Sequence, residues 1–264
     1  MTDADFAQLV TRVLGPSTPR VWSLLVTMFG DLALAPQARL SGATVNAITA
    51  AIGIKPEATR VALHRLRKEG WIESHRIGRQ TRYGLTPHGR TQTTAAAPRV
   101  YGPAPEGIET FLVIEHPAET ADWHADQKSA TTVQIGPKTV ITTAITKHGH
   151  HLRLALSADA ALPAWVTDKI CPPELRRASR ELFQRFETMP NGDALKDMTP
   201  VQRTALRVIV VHEWRRLILR TPAFPEPLLP DDWHGAKCRA AFHKLLILLP
   251  IPDLVALEDA IEAG

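Results

Sequence analysis

The sequence has few cysteines and no long apolar run, and each absence excludes a class of protein. Only two cysteines occur in 264 residues, Cys171 and Cys238, and they form no CxxC pair. This excludes a disulfide-stapled secreted domain and a zinc site of the usual cysteine spacing. The longest apolar run, residues 245–249, ends at Pro250, far short of the roughly 20 residues of a membrane helix. We therefore expect no membrane partner. The first residues are acidic and carry no signal-peptide pattern, so we expect a cytoplasmic protein.

Sequence signatures of catalysis are also missing. No GxSxG elbow, P-loop or GxGxxG occurs, so we predict no catalytic residue and no cofactor. His212-Glu213 lacks the second histidine of the zinc-protease motif, because Arg216 stands in its place. The histidine cluster at residues 148–151 has no cysteine or carboxylate ligand beside it, and we interpret it as a surface turn. The sequence therefore predicts no metal site.

Positive charge is concentrated in one segment. The whole chain carries a net charge of +4, but between Lys55 and Arg90 nine basic residues stand against three acidic ones. This segment therefore carries +6, and the rest of the chain sums to −2. Such a concentration is typical of a surface that meets a polyanion. A solvated basic surface without a partner is the alternative, and charge alone does not decide between them.

The same segment has the start and stop signals of two helices and a hairpin. Ser41 can cap a helix that Gly53 ends, and Pro56 can open a second helix that stops at Gly70. Residues 71–76 and 80–85 then resemble two strands joined by a turn at Gly78, which is suited to a positive φ. This order of elements predicts a winged helix-turn-helix that binds duplex DNA.

The second helix carries an apolar stripe and an opposite polar face. The stripe has the 0, 3, 4, 7 spacing of a buried helix face and consists of Thr59, Ala62, Leu63 and Leu66. Arg60 and His64 are our candidates for contacts with base edges, whereas the other helix cations are placed near phosphates. The hairpin arginines, above all the one at the turn, are candidates for a wing. The predicted DNA-binding set is Lys55, Glu57, Arg60, His64, Arg65, Arg67, Lys68, Arg76, Arg79 and Arg82. The alternative is a winged helix used for protein contacts, with its basic residues solvated.

Beyond the basic segment the patterns change twice. The alanine-rich stretch 91–98, with Pro103, Pro105 and Gly107 soon after it, suggests a domain boundary near 92–107. Residues 107–170 contain four strand-like runs, at 111–114, 132–135, 139–142 and 152–156. From residue 171 the pattern is helical, with proline-rich breaks. We predict helices at 174–188, from 199–200 to about 220, from Asp231 or Asp232 to 249, and from 252–253 onwards. We therefore predict an α+β protein with a winged helix-turn-helix at 1–92, a small α+β middle domain at 107–170 and a helical C-terminal domain at 171–264.

Four stretches of this chain resemble the PaaX-like repressors, which regulate the degradation of phenylacetic acid and related aromatic compounds. They lie at residues 53–72, 85–90, 210–216 (VVHEWRR) and 228–235 (LLPDDWHG). The resemblance implies a ferredoxin-like, Cas2-type middle domain. Only residues 145–151 separate the third and fourth strand-like runs, too few for the second helix of that fold. We therefore expect the middle domain, and with it the ligand pocket of the family, to be altered.

The resemblance also implies a homodimeric repressor that leaves its operator when an aryl-CoA thioester, such as phenylacetyl-CoA, binds. The residues suggest which groups could hold this effector, namely arginines for the CoA phosphates and tryptophans for the aryl group. The candidates are His212, Trp214, Arg215, Arg216 and Trp233. In the alternative interpretation Trp214 belongs to the core and the two arginines form ion pairs. A different class of function, an acyl-CoA-processing enzyme that has kept the fold, also remains open.

Overall fold

The computed structural model describes residues 1–16, 18–78, 80–115, 130–144, 151–157, 159–190 and 192–263. The chain mixes helices with two small antiparallel sheets, which confirms the predicted combination of α and β structure. The helices are α1 (Asp3–Leu14), α2 (Val21–Leu32), α3 (Gly42–Ala51), α4 (Pro56–Lys68), α5 (Pro87–Tyr101), α6 (Ala164–Ile170), α7 (Pro173–Glu187), α8 (Gly192–Lys196), α9 (Pro200–Ile218), α10 (Gly235–Leu248) and α11 (Leu254–Glu262). The strands are β1 (Leu40–Ser41), β2 (Ile72–Ile77), β3 (Gln80–Leu85), β4 (Thr110–Glu115), β5 (Thr132–Gly136), β6 (Thr139–Thr142) and β7 (His151–Leu156). Arg79 and residues 148–150 of the histidine cluster lie outside the described residues.

The chain divides into two compact units, each assembled from separate segments. The first unit contains residues 1–98, 184–215 and 240–264, and the second contains residues 99–183 and 216–239. The predicted three-part division follows the order of the sequence and stays a prediction. Within it, the alanine-rich stretch 91–98, which suggested a boundary, is helical and belongs to α5.

The first unit contains the predicted pair of helices and the hairpin in the predicted order. Ser41 caps α3 by accepting a hydrogen bond from the Thr44 backbone N–H at 3.0 Å. The tight turn after α3 uses Gly53 with φ +85°, a conformation that glycine adopts at little cost. β2 and β3 then pair from Ile72–Leu85 to Ile77–Gln80, and the short β1 pairs with β3 at the edge of this sheet. The local sequence signals therefore predicted these elements correctly.

A buried ion pair joins three helices in the core of the first unit. Arg207 of α9 donates two hydrogen bonds to Asp31 of α2, at 2.7 and 2.8 Å, and a third to the carbonyl of Leu249 after α10. The Arg207 and Asp31 side chains are only 5% and 1% exposed. Because each charge has its partner, α9 is held against α2 at a fixed position along both helices.

The second unit is built on a four-stranded antiparallel sheet with the order β5-β6-β4-β7. All four predicted strands are present, within a residue or two of their predicted ends. Since β6 is antiparallel to both β4 and β5, those two strands are parallel with β6 between them. By the same argument β6 and β7 are parallel, with β4 between them. Phe111, Val113 and Val140 form a buried apolar cluster on one face of this sheet.

The helical segments after residue 171 begin and end close to the predicted positions. The start of α10 differs most, because Asp231 and Asp232 were expected to open the helix and it begins at Gly235. A Cβ atom at Gly235 would lie 2.2 Å from the Trp233 indole nitrogen, so only glycine permits this close approach. The 228–235 stretch is therefore a packed corner of the second unit, fixed further by the hydrogen bond from the His234 backbone N–H to the Ser179 hydroxyl at 3.1 Å.

Candidate nucleic-acid interface

Helix α4 buries one side and presents a cationic face on the other. The predicted stripe is buried, with Thr59 and Leu66 at 0% exposure and Ala62 and Leu63 at 6% and 7%. On the opposite face four basic side chains are exposed, together with Val61 at 69%. They are Arg60, His64, Arg67 and Lys68. None of these four forms an ion pair with any residue that the structure describes, so the face keeps its charge for an external anion.

Buried threonines fix α4 against α3. The Thr59 hydroxyl donates a hydrogen bond to the Thr49 hydroxyl at 3.0 Å, and Thr49 donates to the Val45 carbonyl at 2.9 Å. Both hydroxyl groups are buried and hydrogen-bonded, because Thr49 and Thr59 are 1% and 0% exposed. The two helices therefore hold one relative position, which a helix that reads bases requires.

The C-terminal end of α4 is held by an aromatic cluster that the sequence analysis missed. Trp22 donates its indole N–H to Glu69 at 2.9 Å, and Arg65 donates to the other oxygen of Glu69 at 2.7 Å. The Arg65 guanidinium also lies 5.6 Å from the centre of the Trp22 ring, a cation–π distance. The hydrogen bond from Arg65 is the main cause that lowers the pKa of Glu69. Arg65 is therefore occupied at the side of the helix and does not belong to the cationic face.

The hairpin and α4 enclose an open groove of about 660 Å³. Its helix side consists of His64, Arg67 and Lys68, and β2 supplies the other side with residues 72–74. At the hairpin end, Arg76 and Ile77 are exposed, and Gly78 has the predicted positive φ of +60°. Arg79, the predicted wing-tip residue, lies outside the described residues. The groove thus lies between cationic residues of α4 and the first residues of the hairpin, at the end of the hairpin opposite its turn.

Two charged residues of the hairpin are neutralised within the first unit. Arg82 forms an ion pair with Glu258 of α11 at 2.8 Å, and its side chain is 29% exposed. Glu73 accepts a hydrogen bond from Arg39 at 2.9 Å, and His75 Nε2 lies 3.3 Å from the same carboxylate oxygen. Arg39 reaches Glu73 by lying across Gly84, where a Cβ atom would meet the arginine at 2.5 Å. Arg82 stays a predicted DNA contact, but its guanidinium has a partner here.

The stretch at residues 85–90 joins the hairpin to the end of α4. The Thr86 hydroxyl donates to the Gly70 carbonyl at 2.5 Å, and the Thr86 backbone N–H donates to the Trp71 carbonyl at 3.0 Å. Gly89 packs on that same carbonyl so closely that a Cβ atom would stand 2.2 Å from the oxygen. This contact explains why threonine and glycine occur at this spacing. It also fixes the hairpin relative to α4.

The predicted effector residues lie mainly in protein cores. In the first unit, Trp214 is fully buried against Phe242, with ring centres 5.7 Å apart, and His212 Nδ1 lies 3.2 Å from the Thr27 hydroxyl. Arg215 also falls in the first unit, whereas Arg216 and Trp233 fall in the second. Trp233 is 8% exposed. The burial of Trp214 fits the interpretation that it is a core residue.

Comparisons with known proteins identify the family. The sequence profile of the PaaX-like proteins matches residues 20–89, and that of the PaaX-like C-terminal domain matches residues 173–249. The chain belongs to the PaaX-like family. A transcriptional repressor of Escherichia coli K12, PaaX, is 27% identical over 82% of this chain and 76% of its own length.

One solved structure, an uncharacterised Mycobacterium tuberculosis protein, Rv0674, covers 91% of this PaaX-like chain and 97% of its own with 17% identity. Its TM-score is 0.50, which supports a common fold only. The comparisons together support a transcription regulator and give no support to the enzyme interpretation. No helix among the described residues of this PaaX-like protein is long and apolar enough to cross a membrane.

Proposed function

We propose that this PaaX-like protein is a sequence-specific transcriptional repressor that inserts α4 into the major groove of its operator. One observation carries the proposal: an exposed cationic helix face, with no ion partner among the residues that the structure describes, lies beside the first strand of the hairpin. In this interpretation α3, α4 and the β2–β3 hairpin are the winged helix-turn-helix. The name of the E. coli relative, a transcriptional repressor, supports the same function.

The contacts of each side chain suggest its role on DNA. Arg60 and His64 would donate to base edges, Glu57 would accept from cytosine, and Val61 would contact a thymine methyl group. Arg67, Lys68 and Lys55 would hold phosphates, and Arg76 and Arg79 would extend the wing towards the backbone. Arg65 and Arg82 stay predicted DNA contacts, and we propose that they also position α4 and the hairpin, because Glu69 and Glu258 bind their guanidinium groups.

The middle of the chain supports a ferredoxin-like domain. Two pairs of parallel strands, each pair separated by a third strand, are what two split β-α-β crossovers produce. The connection from β4 to β5, residues 116–131, is long enough for such a crossover. Residues 143–150, between β6 and β7, leave little room for a helix. We therefore propose a shortened ferredoxin-like domain of the Cas2 type.

The effector and the dimer are proposals taken from the family. We propose an aryl-CoA effector, with phenylacetyl-CoA as the first candidate, that releases the repressor from genes of aromatic-acid catabolism. His212 and Trp214 would act indirectly through the core in this scheme, because both are buried. A single winged helix-turn-helix contacts one half-site, so a twofold-symmetric operator calls for a homodimer.

A gel shift tests the proposal directly. The probe is the DNA upstream of the protein's own gene, with random DNA of equal length as the control. We expect a discrete complex on the upstream DNA. An aryl-CoA thioester should dissociate this complex, whereas CoA alone should not. Equal affinity for both probes would contradict sequence-specific repression. Hydrolysis of the thioester by the purified protein would instead favour the enzyme alternative.

A further inference from the structure

The last helix of the chain, α11, packs against the predicted DNA-binding elements of the first unit. It lies beyond the residues that the family profiles match, so family membership alone does not account for it. Residues 250–264 contain four acidic residues and no lysine or arginine, whereas the segment from Lys55 to Arg90 carries +6. The helix therefore brings negative charge to the basic segment.

Glu258 of α11 uses both of its carboxylate oxygens in this contact. One oxygen accepts a hydrogen bond from the Arg82 guanidinium of β3 at 2.8 Å. The other accepts hydrogen bonds from the Ser41 backbone N–H at 3.2 Å and from Arg82 at 3.4 Å. One turn further along the helix, Glu262 accepts a hydrogen bond from the Gln80 side chain at 2.9 Å. Two acidic side chains of α11 thus bind donors at the N-terminus of α3 and on β3.

The donors that bind Glu258 are of the kind that a DNA phosphate uses. Ser41 is the N-cap of α3, and a helix N-terminus attracts anions through its dipole and its free N–H groups. In a helix-turn-helix the first helix crosses the DNA backbone, and arginine side chains donate to phosphate oxygens. The carboxylate of Glu258 offers the same negative charge and paired acceptor oxygens. It therefore fills a position that is suited to a phosphate.

Few apolar contacts hold α11 in place. Leu257 is the single buried residue among the nine residues of this helix, all of which the structure describes. The ion pair is itself partly open to solvent, with 29% of the Arg82 side chain and 15% of the Glu258 side chain exposed. Elements with few buried apolar side chains open at a low cost in free energy. Displacing α11 from β3 would thus expose little buried apolar surface of the helix.

We propose that α11 is an autoinhibitory helix that competes with DNA phosphates for the Arg82 guanidinium and the N-terminus of α3. The inference rests on the proposed function, because it requires that the hairpin and α3 contact DNA. In the free protein Glu258 and Glu262 bind these donors, and in the complex phosphate oxygens replace them. The competition lowers the affinity for every DNA, since phosphate contacts carry no sequence information.

Anisotropy titrations of the full-length chain with labelled operator and random DNA test this competition. Glu258→Gln should tighten binding to both DNAs by about 3- to 10-fold, because DNA no longer has to displace a part-exposed ion pair and the hydrogen bond beside it. Asp259→Asn is the matched control, since it removes one negative charge from an exposed position of the same helix. This control should change either affinity by less than about twofold.

A double-mutant cycle separates competition from a purely structural role of Glu258. In an Arg82→Ala background, Glu258→Gln should lose most of its gain in affinity, because the donor that it releases is absent. An equal gain with and without Arg82 would overturn the proposal. So would unchanged or weaker DNA binding by Glu258→Gln in a protein with unchanged circular dichroism.

Amide hydrogen exchange tests the same proposal without any substitution. Exchange in residues 254–262 of the wild type should become faster when DNA is added, because DNA displaces the helix. Unchanged or slower exchange in the DNA complex would contradict displacement. Failure of the proposed function looks different: every variant would bind operator and random DNA equally, and the gain from Glu258→Gln would still occur on both.

Discussion

At the scale of single residues, some side chains of α4 are proposed to contact DNA bases, and others are proposed to contact DNA phosphates. Arg60 is exposed near the start of the helix and has no ion partner among the described residues. We expect Arg60→Ala to weaken operator binding about 10- to 100-fold, because a bidentate contact with guanine discriminates by roughly 1–3 kcal/mol. Binding to random DNA should change much less. Fluorescence anisotropy with both DNAs measures the difference. An equal loss of affinity for operator and random DNA would indicate that Arg60 contacts a phosphate and not a base.

Lys68 should behave differently, because it lies further along the helix at the groove beside β2. Lys68→Ala should weaken binding to operator and random DNA alike. It should also reduce the slope of log affinity against log salt by about one, since one phosphate contact is lost. Arg177→Ala removes an exposed arginine of the second unit and is the control. An unchanged salt slope in the Lys68 variant would exclude a phosphate contact.

Cys171 illustrates how burial controls chemistry in the second unit. Desolvation raises the pKa of its thiol to about 12, from an ordinary value of 9.0. The neutral thiol is favoured in the folded state, so its contribution to stability is present below pH 9.0 and is lost as the pH rises towards 12. We expect iodoacetamide to leave Cys171 unmodified at pH 8 in the native protein and to modify it in urea. Trp165→Cys supplies an exposed thiol as the positive control, and fast native modification of Cys171 would contradict its burial.

The sequence predicts the buried stripe of α4 better than it predicts the contacts that α4 and the hairpin make with other elements. Thr59, Ala62, Leu63 and Leu66 follow the helical period, so the buried stripe could be identified from spacing alone. The pairing of Arg82 with Glu258 could not, because the two residues lie 176 positions apart and belong to different local patterns. Trp22 was likewise missed as a support for Glu69, since nothing nearby in the sequence indicates that contact.

At the scale of secondary-structure elements, the position of α4 depends on the scaffold behind it. The Asp31–Arg207 pair fixes α2 to α9 within that scaffold, and both side chains are buried. Asp31→Leu should lower the free energy of unfolding by about 3–5 kcal/mol, because Arg207 would remain buried without its counter-charge. The double variant Asp31→Leu, Arg207→Met should recover part of that loss. Urea unfolding measures both, and a double variant less stable than the single one would contradict this explanation.

Element boundaries were predicted well where a cap or a glycine marks them and less well elsewhere. Ser41, Gly53, Pro56 and Gly78 mark ends that the structure confirms. The start of α10 was expected at Asp231 or Asp232, and it differs because the close packing of Gly235 on Trp233 determines it. Capping residues and glycines in the sequence indicate where a helix can begin, and tertiary contacts determine which of these positions is used.

At the scale of the whole molecule, the two compact units are assembled from segments distant in the sequence. Periodicity and composition act over ten to twenty residues, so they cannot indicate which distant segments pack together. The family could nevertheless be identified from the sequence, because several of its motif residues lie at tightly packed contacts between elements. Thr86 and Gly89 bind the end of α4, and Gly235 admits Trp233. Those contacts require particular residues at particular spacings.

Photo-crosslinking from Val61 tests the central claim most directly. This side chain is 69% exposed in the middle of the cationic face of α4, so a photoreactive phenylalanine derivative there should tolerate folding. We expect irradiation of the operator complex to link position 61 to bases in the major groove, and the same label at Trp165 to give no such link. A bound operator that crosslinks to neither Val61 nor its neighbours on α4 would show that another surface contacts the DNA.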